Sequence, residues 1–116
     1  MAAKERVLSD QEITSALSRL GQWRHIDGVL RRVYATDGWR GSMLVANAAA
    51  FICEAADHHA DLLVTWPRVT VSLATHSAGG ITAKDVEVAG LIEAQLTWRP
   101  GPDSSLTGPA APFVKP

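Results

Sequence analysis

Three of the four histidines in this chain fall between Glu54 and Asp85. His58 and His59 are adjacent, and His76 closes an alternating apolar-polar run. Imidazole is the side chain whose unperturbed pKa lies closest to neutral. Three of them gathered in one small domain, with carboxylates nearby, is what proton-transfer chemistry asks for. Glu54 and His58 are four residues apart, so they share a helix face if the helix reaches that far. Glu54 is then placed to hold one nitrogen of His58, fixing its tautomer and favouring its charged form.

Each of these residues also has a plainer reading. A His pair at a helix end suits the helix dipole. His76 can be a turn residue, Asp85 a helix cap and Glu54 an exposed helix residue. Taken singly, the plain readings win. Taken together they weaken, because the polar residues gather at element ends that face one connection, where sites are built. A metal site fits less well than proton transfer. Adjacent histidines diverge, and a helix offers metal ligands at three or four residues, leaving only Glu54, His58 and His76 as a set. No metal and no cofactor is expected. Gly79-Gly80 before a helix could face an anion, but no Walker lysine and no Gly-x-Gly-x-x-Gly accompany it. The glycines serve the turn.

Composition narrows the field. With 116 residues the chain makes one domain with one core. It is 47% hydrophobic and 20% charged, which argues against disorder for most of its length. Net charge is −1, and no basic run exceeds Arg31-Arg32, so no nucleic-acid partner is expected. The single cysteine, Cys53, leaves no internal disulfide and reads as a buried helix residue. The opening Met-Ala-Ala-Lys-Glu-Arg has no apolar core of a secretory signal. No window approaches the ~18 apolar residues of a membrane span. A cytoplasmic protein with no membrane partner is the expectation.

The elements that must position the histidines are well punctuated. Ser9 and Glu12 form a capping box for a first helix carrying Ile13, Ala16, Leu17 and Leu20, which stops at Gly21. Trp23 to Tyr34 reads as a hairpin around Asp27-Gly28. His25, mid-strand without an acidic neighbour, receives no role. Asp37 is placed to cap an Ala-rich second helix running to about Asp57, with Leu44, Ala48, Phe51 and Ala55 as its buried stripe. Asp61 to Trp66 and Val69 to His76 read as two strands around Pro67-Arg68. By parity His76 points away from the core. Thr82 and Asp85 cap a third helix that buries Val88, Ala89, Ile92 and Leu96. Residues 1–98 form the domain. Arg99 to Pro116 holds five of the six prolines and reads as an extended or disordered tail. The order α-β-β-α-β-β-α predicts an α+β two-layer domain: a four-stranded antiparallel sheet with three helices on one face.

This arrangement resembles the pterin-4a-carbinolamine dehydratase family. Glu54, the His58-His59 pair, the aromatic Trp66, the Thr75-His76 dipeptide and Gly79-Gly80-Ile81-Thr82 through Asp85 match that family's spaced motif, and the likeness covers most of the chain before the tail. Two positions depart from it: Ala60 where proline is usual, and Ser77 where an acid is frequent. The resemblance implies dehydration of a 4a-hydroxytetrahydropterin to the quinonoid dihydropterin, in tetrahydrobiopterin recycling. It makes His58 and His76 the leading acid/base pair and gives His59 a place among the catalytic imidazoles, orienting or binding the ring. Glu54, Ala60 and Asp85 join them around the pterin, and the Thr75-His76-Ser77-Ala78 backbone meets its amide edge. It also implies a homodimer or homotetramer. Catalytically silent relatives that bind proteins or assist assembly supply a second expectation.

Overall fold

A computed structural model describes residues 5–116. Met1 to Lys4, part of the stretch in which no secretory leader is read, lie outside the described residues. Helix α1 spans Asp10–Leu17 and opens with the predicted capping box. Glu12 N–H donates to Ser9 Oγ at 3.1 Å, and Ser9 N–H donates to Glu12 Oε1 at 3.0 Å. Arg6 adds a two-pronged bond to the same carboxylate, 2.9 Å on each side. Its guanidinium is the main cause that holds the Glu12 carboxyl down at about 2.

Strands β1 (Arg24–Ile26) and β2 (Val29–Ala35) form the first hairpin. Asp27 and Gly28 both take positive φ, 53° and 76°, the geometry of a two-residue turn that matches the strand twist. Helix α2 (Trp39–Ala56) follows, then β3 (Asp61–Thr65), β4 (Arg68–Leu73) and α3 (Ala83–Leu96). All strand pairs are antiparallel, in the order β1-β2-β4-β3. The chain is thus the α+β domain expected, α-β-β-α-β-β-α. Leu30, Tyr34, Val69, Val71 and Leu73 fill the helix-facing side of the sheet, against Val45, Ala49 and Cys53 of α2 and Val88, Ala89, Ile92 and Leu96 of α3.

Three local expectations need correction. Asp37 does not cap α2: Gly38 occupies that position, at φ 145°, and among the described residues no side chain makes a capping bond there. The buried face of α2 is Gly41, Ser42, Val45, Ala46, Ala49 and Cys53, and Leu44 and Phe51 point outward. Polar anchoring explains the rotation. Ser42 Oγ lies 2.7 Å from Thr36 Oγ1 and 3.0 Å from the Trp66 carbonyl, so the start of α2 is fixed to the sheet by its small residues. Finally, β4 ends at Leu73, and His76 lies in a turn closed by a bridge between Thr75 and Gly80.

Beyond Trp98 there is no further helix or strand, but the end of the chain is tied to the domain. Val114 is buried and bridges Thr36. Lys115 N–H donates to the Ala35 carbonyl at 2.8 Å, Asp37 N–H to the Phe113 carbonyl at 3.0 Å, and Arg99 Nη2 to the Val114 carbonyl at 2.8 Å.

Candidate active site

The register that pairs Asp61 with Ser72 brings the chain entering β3 beside the chain leaving β4. His58 and His59 precede the first, and Thr75 to Gly80 follow the second. The Trp66 turn closes the same hairpin at its opposite end.

Helix α2 stops because Asp57 turns left-handed, at φ 51°. His58 N–H then closes back on the Cys53 carbonyl at 3.1 Å, the backbone pattern of a helix end. This reversal gives the two imidazoles different partners and corrects the expected pairing. His58 does not bond Glu54. It turns inward, and its Nε2 lies 2.7 Å from Asp85 Oδ1. Glu54 instead meets His59, Nε2 to Oε1 at 2.8 Å, in an exposed pair.

Asp85 is fully buried and combines two tasks. Its Oδ2 accepts the Thr82 N–H at 2.9 Å, as the capping box of α3 requires, and the Thr75 hydroxyl at 2.7 Å. Its Oδ1 is left for His58. A carboxylate can only accept, so His58 donates from Nε2. Its Nδ1 then carries either the lone pair of a base or, in the cationic form, the proton of an acid.

These groups border a cleft of about 310 Å3. Of the residues singled out in the sequence, His58, His59, Thr75, His76 and Ser77 line it, with Asp85 directly behind His58. Glu54, Ala60 and Ala78 are not among its walls. The His76 imidazole is exposed and makes no side-chain hydrogen bond among the described residues. Ala74, Asp57, Lys84 and Glu5 complete the lining. The last two form an ion pair across the rim, and Ser77 Oγ donates to Glu5 Oε2 at 2.7 Å. Those two bonds, Lys84's first, hold the Glu5 carboxyl below the usual carboxylate range, and Glu5 in turn raises Lys84. Nothing in local periodicity points to Glu5, which reaches the cleft only through the path of the chain before α1. Larger hollows beside α1 and below β1 are lined by no histidine. Among the described residues no group of three or more His, Cys, Asp or Glu side chains is gathered as a metal would need. No helix among them is long and apolar enough to cross a membrane.

A cleft with a buried carboxylate behind one imidazole, two further imidazoles and a hydroxyl-lined turn can move protons on a small polar ligand. A provisionally named pterin-4-alpha-carbinolamine dehydratase of Aquifex aeolicus is 38% identical over 88 residues, covering 76% of this chain and 89% of that protein. One of Mycobacterium sp. strain JLS, named in the same way, is 42% identical over 83 residues, covering 72% and 88%. The crystal structure of a protein from Brucella melitensis, titled transcriptional coactivator/pterin dehydratase, matches with a TM-score of 0.72 at 30% identity, over 77% of this chain and 97% of that one. The sequence profile of one family matches residues 6–95. On that match and these relatives, the chain belongs to the family described as pterin 4 alpha carbinolamine dehydratase.

Proposed function

We propose that this cleft dehydrates a 4a-hydroxytetrahydropterin to the quinonoid dihydropterin and water, as a step of tetrahydrobiopterin recycling in the cytoplasm. The observation that carries the reading is the His58–Asp85 pair at the cleft wall. The reaction breaks the C4a–O bond and removes the N5 proton. The leaving hydroxide needs a proton donor, and N5 needs an acceptor. His58, with Nδ1 facing away from Asp85, and His76 supply those roles, and His59 orients the ring. Thr75, Ser77 and the backbone through Ala78 bind its amide edge, while Glu54 steadies His59 and Ala60 shapes the entry to β3. One well-placed acid or base contributes ~10²–10⁴-fold. The purified protein is expected to accelerate loss of the 4a-hydroxyl above the spontaneous rate, followed by absorbance of the dihydropterin. A rate equal to the buffer control would refute the dehydratase reading.

A second reading, a binding or assembly protein on the same fold, draws on the outer face of α2. Met43, Leu44 and Phe51 are exposed there, at 38%, 43% and 74%. Titration with a dihydropterin analogue separates the two, because a pure scaffold has no reason to bind it. Under either reading we propose that this face, with Leu44 and Phe51 two helical turns apart, is covered by a second copy of the chain. Sedimentation is expected to show a dimer or tetramer, and Phe51→Glu to shift it toward monomer. A wild type that sediments as a monomer at micromolar concentration would count against self-association.

A further inference from the structure

We propose that Glu5 is a substrate-binding residue: its carboxylate, carried to the cleft by the segment before α1, receives the N–H edge of the pterin's pyrimidine ring. The proposal rests on the dehydratase reading above and adds to it a group from outside the matched family span, which begins at Arg6.

Glu5 does not reach the cleft by chance of a loose end. Leu8 N–H donates to the Ile81 carbonyl at 2.8 Å, which lays the segment alongside the turn that carries His76. Val7 packs over Gly80 so closely that a Cβ there would lie 2.8 Å from Val7 Cγ1. Arg6 is gripped by Glu12. With those contacts made, Glu5 bonds Ser77 and Lys84, 72 and 79 residues away in sequence. Each carboxylate oxygen accepts one of these bonds and keeps room for another.

The chemistry of the ligand fits that vacancy in hydrogen bonding. A pterin presents a 2-amino group and a neighbouring ring N–H side by side, two parallel donors. A carboxylate meets such an edge with both oxygens, and charge assistance makes these bonds stronger than neutral ones. Ser77, on the turn itself, supplies no charge. Glu5 places one within 2.7 Å of its hydroxyl.

The test uses the full chain and steady-state dehydration kinetics with independent pterin titration. Glu5→Ala is expected to raise KM and weaken pterin binding by about 10- to 100-fold, the range of a lost charge-assisted bond, with kcat little changed. The thermal midpoint should stay near that of wild type, because the Leu8 and Arg6 contacts remain. Adding Ser77→Glu to Glu5→Ala returns a carboxylate to the same place, and KM is expected to recover most of the loss. A merely structural Glu5 would move the midpoint and would not be rescued in KM. An unchanged KM, a loss confined to kcat, or a double variant no better than Glu5→Ala would overturn the role of Glu5. Those results would leave the dehydratase reading intact, since the wild-type rate is read in the same assay. A wild type that neither accelerates the reaction nor binds a pterin overturns both.

Discussion

His58→Ala is expected to lower kcat for dehydration by about 10²–10⁴-fold, the usual contribution of one general acid or base. His76→Ala should fall within the same range, because the two steps, protonating the leaving hydroxyl and deprotonating N5, need separate groups. The more searching variant is Asp85→Asn. Its amide oxygen can still take the Thr82 N–H and the Thr75 hydroxyl, as Oδ2 does now. Its NH2 then faces His58 Nε2, where Oδ1 accepts at 2.7 Å. An amide nitrogen donates, so Nε2 must become the acceptor and the ring proton moves to Nδ1. The helix cap survives, but His58 faces the cleft in the wrong tautomer. Activity is expected to fall toward the His58→Ala level while the circular dichroism and thermal midpoint stay close to wild type. Full activity in both histidine variants would end the acid/base assignment. Full activity in Asp85→Asn alone would end the tautomer assignment and keep the rest.

The His58–Asp85 contact is not legible in residue spacing. The capping boxes at Ser9–Glu12 and Thr82–Asp85 were legible because they depend on residues three apart within one helix. The Asp27-Gly28 turn and the alternation of Val69, Val71 and Leu73 were legible for the same local reason. The partner of His58 was not. Four-residue spacing placed Glu54 beside it, but the left-handed Asp57 ends the helix first and turns the imidazole toward α3. Periodicity does not single out the buried face of α2, because an Ala-rich helix is apolar on several sides and its largest apolar residues, Leu44 and Phe51, lie opposite the small ones that approach the sheet. Glu5, Lys84 and the docked Val114 depend on where distant segments meet, which no short-range pattern encodes.

The largest stability effect is expected at Glu93, far from the cleft. Its carboxylate gathers three donors from the sheet side: Trp23 Nε1 at 3.0 Å, Arg32 Nε at 3.0 Å and Tyr34 Oη at 2.7 Å. Arg32 is buried, and its guanidinium carbon also stands 4.1 Å from the centre of the Tyr34 ring. Glu93→Ala strands a buried cation together with a buried phenol and an indole N–H. Breaking a buried pair from one side costs about 3 kcal/mol or more, here on the order of 10 °C in melting temperature. Glu93→Gln keeps an acceptor and should cost less. Tyr34 is the sole tyrosine, so its absorbance reports the same network. Burial first, and Glu93 second, push its phenol far above the usual value. The stabilising contribution is therefore complete below about pH 10 and is lost as pH rises through the folded pKa. In an alkaline titration of the native protein, phenolate absorbance should appear only together with unfolding. A Glu93→Ala protein that loses less than about 1 kcal/mol in urea, or a wild type whose phenol titrates normally while folded, would show that Glu93 does not hold this corner of the core.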